Sequence, residues 1–407
     1  MIIEWSNKAL AVLVDGRVLI GLSENDRDRA LIKWHDTDPW AVNVAQVQMG
    51  RPCETYAILT KDGRLLMGYW LEIRPEDITP SINKALGTVN VNIDQFFMDS
   101  STLVIRTGND VHIISVDTSP QYHGKPIMIT DVFSYSFHCE TDLFNFGYDH
   151  GLVRTTDNRL FRIGNMHRYG KAMRWPLLPF LPKQELIFHD TANIEHVYIG
   201  TEHTLLHMRN GSVYEQGLTD RLPTATGEEF EQVCIPGDES VVKIRDGWSV
   251  IYYFTPSGLC YYHQIVPVEK TGTPVLIKCL VGMFVEKVYG SLFAVTTQSG
   301  ERRLCRLKMR IIRDGRNSYE VVDDPGSNTR PYLEHYPNDD ENLEGIARLS
   351  NHTYFITSDG GAYTSEGYRN GSKPYIVRDP FFDTNPLAIE RQTLNIRSAR
   401  SRLDDDQ

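Results

Sequence analysis

The chain has 407 residues and a formal net charge of −11, with 41% hydrophobic and 23% charged residues. This is a globular balance, and its acidity argues against a generic grip on nucleic acid or on an anionic membrane, both of which need a basic surface. No apolar run approaches the roughly 18 residues of a membrane helix, and residues 1–5 lack the regions of a signal peptide, so the chain is expected to be intracellular, cytoplasmic or nuclear.

Eight segments repeat one pattern along the chain: an apolar strand, a two-residue turn and a second apolar strand. They begin at Ala9, Tyr56, Thr102, Gly151, Thr204, Ile251, Leu292 and Thr353. Asp-Gly, Asn-Gly and Asp-Asn among their turns are pairs of residue types that tolerate φ > 0. After the first copy, Trp34 and Trp40 flank a polar turn and are secondary candidates for partner binding. Further strands are predicted before the fourth and fifth copies, at residues 142–147 and 195–200.

Between those copies runs Asn165-Met-His-Arg-Tyr-Gly-Lys-Ala-Met-Arg-Trp, followed by a Pro-rich stretch to Pro182. Arg168, Tyr169, Lys171, Arg174 and Trp175 combine cations with large rings, the residue types that dominate binding hot spots. They are the leading partner-binding candidates, directed at an acidic protein surface or a phosphate. The alternative is a linker with Trp175 packed inward. After the seventh copy, residues 302–316 are basic, and Arg306, Lys308, Arg310 and Arg313 are further secondary candidates. Flanks of β character around Asp314-Gly315 predict an extra hairpin, either charged against edge pairing or projecting to a partner. Strands are predicted at 374–378 and 387–396, and residues 397–407 read as a polar tail.

The copies recur about every 49 residues, a period of repeated supersecondary units that cannot bury their own apolar faces. Four short strands fill one period. Such units packed radially make an all-β, closed β-propeller, here a single domain over residues 1–396. Eight blades follow from the hairpin count, and seven if a weak copy, the third or seventh, is incomplete. The first copy starts so near Met1 that its unit is expected to lack the strand before the hairpin. Residues 387–396 are expected to supply it, pairing beside residues 9–14.

Gly147-Tyr-Asp-His150 and Gly200-Thr-Glu-His203 share Gly-x-x-His just before the hairpin, and His352 has the same offset to its turn. A further Gly follows the turn at Gly21, Gly68, Gly164, Gly217 and Gly367. This repeat resembles that of the regulator of chromosome condensation family over nearly the whole chain. The family's trailing Gly-Gln-Leu-Gly is absent, and seven blades are its usual number. The histidines and glycines are expected to be framework positions.

The six cysteines include no C-x-x-C pair and no matched His spacing, so packed thiols are expected and a metal is not. No nucleophile, phosphate-loop or His-Glu-x-x-His motif occurs, so neither catalytic residues nor a cofactor are expected. The function that follows is a non-catalytic protein–protein interaction scaffold. The resemblance implies the alternative of nucleotide exchange on a small GTPase, and an enzyme with a site in the propeller channel is the third reading.

Overall fold

The structure is a computed structural model that describes residues 2–5, 9–14, 17–23, 32–36, 43–50, 55–69, 75–99, 102–117, 126–147, 150–164, 183–200, 203–216, 230–237, 239–247, 250–264, 273–289, 292–300, 302–306, 309–312, 318–321, 343–349, 352–357, 362–366 and 375–378. Nearly all of it is antiparallel sheet. The first sheet contains β1 (Ile2–Trp5), β2 (Ala9–Val14), β3 (Arg17–Ser23) and β4 (Ile32–Asp36). The second contains β5 (Val44–Met49), β6 (Thr55–Thr60), β7 (Leu65–Tyr69) and β8 (Glu76–Asp77), and leads into helix α1 (Thr79–Leu86). The third has β9 (Gln95–Asp99), β10 (Thr102–Thr107), β11 (Asp110–Asp117) and β12 (Met128–Ser136).

The fourth sheet has β13 (Thr141–Phe146), β14 (His150–Thr155), β15 (Leu160–Gly164) and β16 (Lys183–Leu186). The fifth has β17 (Ile194–Ile199), β18 (Thr204–Met208), β19 (Val213–Gln216) and β20 (Glu231–Gln232). The sixth has β21 (Lys243–Gly247), β22 (Val250–Phe254), β23 (Cys260–Gln264) and β24 (Val275–Leu276). The seventh has three strands, β25 (Met283–Tyr289), β26 (Leu292–Thr297) and β27 (Arg302–Arg306). A two-stranded ladder of β28 (Met309–Ile312) and β29 (Ser318–Val321) follows. The last sheet has β30 (Leu343–Leu349), β31 (His352–Thr357), β32 (Ala362–Glu366) and β33 (Tyr375–Arg378).

All eight predicted hairpins therefore form, each as the middle of its sheet or, in the seventh, as two of its three strands. The chain divides into two compact units, residues 1–91, 117–128 and 332–407 in one, residues 92–116 and 129–331 in the other. In the first unit, β30 lies against β1 and β2, and β5 packs on β1, β2 and β3. In the second, consecutive sheets share apolar clusters. Val104, Ile113, Phe144 and Phe161 join the third sheet to the fourth, and Leu152, Leu160, Val197 and Leu206 join the fourth to the fifth. Leu205, Val213, Tyr253 and Tyr261 link the fifth and sixth, and Tyr252 and Phe293 meet edge-on at 5.1 Å between the sixth and seventh.

This sandwiching explains the second strands. β6, β14, β18 and β22 are buried at every residue, because both of their faces are covered, so apolar residues occupy both faces instead of alternating, and the polar His150, Arg154 and His207 within them are buried as well. First strands such as β5 and β13 alternate buried with more exposed residues.

Four expectations are corrected. The first sheet has its own leading strand: β1 pairs with β2 through Ile2↔Leu13 to Trp5↔Leu10, and β3 takes the other side of β2. Four residues suffice for that strand, so the few residues before Ala9 provide it. Both sides of residues 9–14 are filled, which leaves no place there for residues 387–396, themselves outside the described residues. Five of the turns enclose three residues rather than two. Thr155 N–H donates to Arg159 O at 2.9 Å and Asn158 N–H to Thr155 O at 2.8 Å, and the same pattern closes the turns ending at Gly63, Gly211 and Gly258 and underlies the Gly300 turn. The third position takes φ between 67° and 83° at Asn158, Gly63, Gly211, Gly258 and Gly300, the geometry of a three-residue hairpin with a bulge. Only the β10–β11 turn among those described in full has two residues, with Thr107 opposite Asp110.

The third correction is the β28–β29 hairpin, which forms where the sequence places it, with Arg310 opposite Glu320. It is a ladder of its own among the described residues and does not extend the edge of the seventh sheet. The fourth is α1, which was not foreseen. Pro80 stands in its first turn, where a missing N–H costs nothing, Ile82 is its buried anchor, and Gly87 N–H closes it on Lys84 O at 3.3 Å.

Candidate interaction surface

In the second unit each sheet has two distinct ends. One carries the turn between first and second strands and the connection between third and fourth. The Gly-x-x-His motifs build this end. Gly147 N–H donates to His150 O and Gly200 N–H to His203 O, both at 2.9 Å. A Cβ on Gly200 would lie 2.0 Å from the His203 ring, and one on Gly147 would lie 2.5 Å from Ile199. The glycines are there for close approach.

Of the three histidines, His150 and His203 are buried in the framework. His150 is fully buried and its Nε2 meets Thr204 Oγ1 of the next sheet at 2.7 Å. Burial, with His150 and His263 nearby, pushes the His203 imidazole down to about 4. His263 Nδ1 in turn lies 3.5 Å from Glu215 Oε2, both side chains nearly enclosed. Arg162 reaches across the same end, donating to Gln184 at 2.7 Å and to Gln216 of the next sheet at 3.4 Å. This polar layer underlies the points where three connections leave and return. Residues 165–182 join β15 to β16, 217–230 join β19 to β20, and 265–274 join β23 to β24.

The other end carries the hairpin turns and the connections between sheets. A latch repeats there that the sequence reading missed. Arg106, Arg154 and His207 stand four residues after Thr102, His150 and His203, and each donates to a backbone carbonyl leading into the next sheet. Arg106 Nη1 bonds Thr141 O at 2.6 Å. Arg154 Nη1 bonds Thr191 O at 2.9 Å and Ile194 O at 3.0 Å, while its other nitrogens grip Asp142 at 2.9 and 2.8 Å. His207 Nε2 bonds Val241 O at 2.8 Å. The offset from the Gly-x-x-His motif is the signal that could have found them.

On this second end several apolar side chains face solvent: Ile187, Val242, Val281 and Phe284 are 99%, 57%, 51% and 66% exposed. Beside Ile187, Arg159 and Glu185 form a two-pronged exposed pair, with Nε to Oε1 at 2.7 Å and Nη2 to Oε2 shorter still. The turn carboxylate Asp157 accepts from Thr155 Oγ1 at 2.6 Å and from His138 Nε2 at 2.5 Å. These bonds, the hydroxyl first, hold its carboxyl well below the usual carboxylate range.

The leading partner-binding candidates Arg168, Tyr169, Lys171, Arg174 and Trp175 lie outside the described residues, as do Trp40, Lys308 and Arg313. Trp34 stands in β4 opposite Gly21, Arg306 ends β27 opposite Leu292, and Arg310 is in β28. The structure describes the two strands, β15 and β16, that residues 165–182 join. Of the cysteines, Cys260 is a packed thiol as expected. Cys234 is exposed and Cys139 only partly covered, because both fall in connections between sheets and not on strands.

No protein-family model matches the chain, and no curated protein matches it by sequence. Solved structures similar to it include Prp20p from Saccharomyces cerevisiae, a protein characterised for binding to Gsp1p and histones. That structure is 13% identical, with 70% of this chain and 79% of that one covered at a TM-score of 0.46. Yeast RCC1 (Prp20) is similar as well, 11% identical over 79% of this chain and 69% of that one, with a TM-score of 0.41. Kluyveromyces lactis Hsv2 is 10% identical over 93% of this chain and 96% of that one, with a TM-score of 0.43. Human WBSCR16 is 13% identical over 74% and 87%, with a TM-score of 0.42.

Proposed function

We propose that the chain is a non-catalytic protein–protein interaction scaffold whose sheets are the eight blades of a closed propeller. Residues 165–182 carry its interface, with Arg168, Tyr169, Lys171, Arg174 and Trp175 as contact residues. One observation carries this reading: Ile163 of β15 stands directly opposite Lys183 of β16. Paired antiparallel strands need a connection of about two to five residues, so residues 165–182 far exceed what joining them requires. Connections of that length in compact folds are usually either functional or linkers, and the composition of this one favours the first.

The segment contains Arg168, Lys171 and Arg174 and no Asp or Glu, in a chain of net charge −11. Local cations on an acidic protein favour an acidic partner surface, and Tyr169 and Trp175 supply apolar anchors.

The test begins with capture of partners from native lysate by the full chain, identified by mass spectrometry. Replacing Arg168, Lys171 and Arg174 together by Glu is expected to abolish capture of the principal partner while the melting temperature stays unchanged. Added salt is expected to weaken the wild-type complex as well, because exposed charge attraction is screened beyond about 8 Å near physiological ionic strength. Unchanged affinity in the triple variant would remove this loop as the interface and move attention to residues 302–316. A small GTPase as principal partner would favour the exchange reading instead.

A further inference from the structure

The residues expected to be a packed thiol and scattered polar groups come together at the hairpin-turn end of the fourth sheet. His138 and Cys139 lie in the connection into β13, and Asp157 in the turn between β14 and β15. Cys139 Sγ is 3.3 Å from Asp157 Oδ1 and 3.5 Å from His138 Nε2, and His138 Nε2 is 2.5 Å from Asp157 Oδ2. One thiol sulfur, one imidazole nitrogen and one carboxylate oxygen all lie within 4.8 Å of one another. We infer that His138, Cys139 and Asp157 form a binding site for a zinc-class divalent cation.

The donor spacing fits. Around a tetrahedral zinc with bonds of about 2.3 Å to sulfur and about 2.0–2.2 Å to nitrogen and oxygen, neighbouring ligand atoms stand roughly 3.3–3.6 Å apart. Both sulfur distances already have that value, and only the His–Asp distance has to open. The donor set selects among metals: thiolate and imidazole favour zinc or cobalt over magnesium or calcium, which take oxygen ligands. Thiolate and carboxylate together balance the charge of the ion.

The backbone holds the donors in place from both sides. Phe137, next to His138, is buried against Phe161 with ring centroids 5.1 Å apart. Thr156 N–H ties the turn to Glu140 O at 2.8 Å, and Thr155 Oγ1 fixes the Asp157 carboxylate. Comparison with the β6–β7 turn shows what is unusual. There Asp62 occupies the same turn position, and Arg64, two residues on, closes onto it at 2.9 Å. At the β14–β15 turn the corresponding Arg159 is bound instead to Glu185, and Asp157 faces a histidine and a thiol. His138 and Asp157 are 45% and 43% exposed, so an ion can enter and a water can take the fourth position.

Binding requires simple proton bookkeeping. The thiol proton that Cys139 now directs at Asp157 leaves to solvent. The neutral His138 imidazole turns its Nε2 lone pair to the ion and carries its proton on Nδ1. Arg159 Nη1, now 3.4 Å from Nδ1, must then give way, which would leave Glu185, its present partner, to take the Nδ1 proton. Glu185 is thereby a positioning residue, of the kind metal-bound histidines regularly have.

The test uses the full chain, reduced, stripped with chelator and titrated with cobalt(II). One equivalent is expected to give the visible bands of tetrahedral cobalt and a thiolate charge-transfer band, both removed by zinc. Cys139→Ser is expected to lose the charge-transfer band. It and His138→Gln are each expected to weaken binding by more than the roughly 10–100-fold that outer-shell partners cost, and Glu185→Gln by about tenfold. Absence of the tetrahedral spectrum in the wild type, or its persistence in both ligand variants, overturns the site. Circular dichroism establishes that each variant is folded, and His138→Gln, in a half-exposed connection, retains the test if a change at Asp157 disturbs the turn.

Discussion

Arg154 is the most heavily committed single side chain in the second unit, and its bonds cross from one sheet to the next. It is almost wholly buried, yet donates to the Asp142 carboxylate and to the carbonyls of Thr191 and Ile194. Truncation leaves the buried bond to Ile194 O and the partly buried bonds to Thr191 O and the Asp142 carboxylate without their donor, so Arg154→Ala is expected to cost about 2–3 kcal/mol. Arg154→Lys keeps the charge without the fork and is expected to recover only part of that. Arg159→Ala, which removes an exposed pair, is expected to leave urea denaturation midpoints unchanged. Equal losses in the two alanine variants would refute the latch.

His203 gives the same unit a pH dependence. Its folded pKa of about 4 lies below the ordinary 6.5, first because burial disfavours the charged ring. The unfolded chain therefore binds more protons between those values, and stability rises with pH across that window. The contribution is full above about pH 6.5, is lost as pH falls towards about 4, and amounts to about 3 kcal/mol. His203→Asn is expected to flatten the slope of unfolding free energy between pH 4 and 6.5, which denaturation at a series of pH values measures. An unchanged slope would assign the acid sensitivity elsewhere.

At the scale of elements, the β15–β16 pair separates what holds the sheet from what it presents. Because Ile163 is opposite Lys183, replacing residues 165–182 by Asn-Gly should convert the pair into an ordinary hairpin. The expected outcome is an unchanged or slightly raised melting temperature, since shortening a loop lowers its closure entropy only modestly, together with loss of partner capture. A variant that fails to fold would show that these residues are packed, the linker alternative. The hairpins were legible in the sequence because strands such as β6 and β22, buried at every residue, are mostly apolar and end at turn residues. The seventh copy, thought weak, forms its hairpin because Phe293 and Val295 still supply the buried face. The turn length was misjudged because Asp-Gly and Asn-Gly suit a two-residue turn and equally the last two positions of a three-residue one. The latch was hidden because Arg106, Arg154 and His207 differ in chemistry and share only a position. The His138–Cys139–Asp157 group was hidden because ligand spacing was sought along the chain, whereas a hairpin turn carries Asp157 back to the start of its own sheet.

For the whole molecule, the question is what joins the first sheet to the last. A shared strand would make the C-terminal segment indispensable. The register instead gives the first sheet four strands from residues 2–36 and the last sheet four from residues 343–378. β30 lies directly against β1 and β2. These two sheets therefore meet as consecutive sheets of the second unit do, by apposition of complete sheets. It follows that deleting residues 384–407 removes none of the described strands of either sheet. The expected result is a soluble protein whose melting temperature is within about 2 °C of the full chain, a shift corresponding to no more than about 1–2 kcal/mol for a chain of this length. Deleting residues 1–8 instead removes β1, uncovers one side of β2 and strips the first sheet from β30, at a cost of several kcal/mol, the scale of a buried strand's apolar contacts. Thermal denaturation of the two truncations decides the matter. A large loss on the C-terminal deletion with little on the N-terminal one would restore closure by a shared strand.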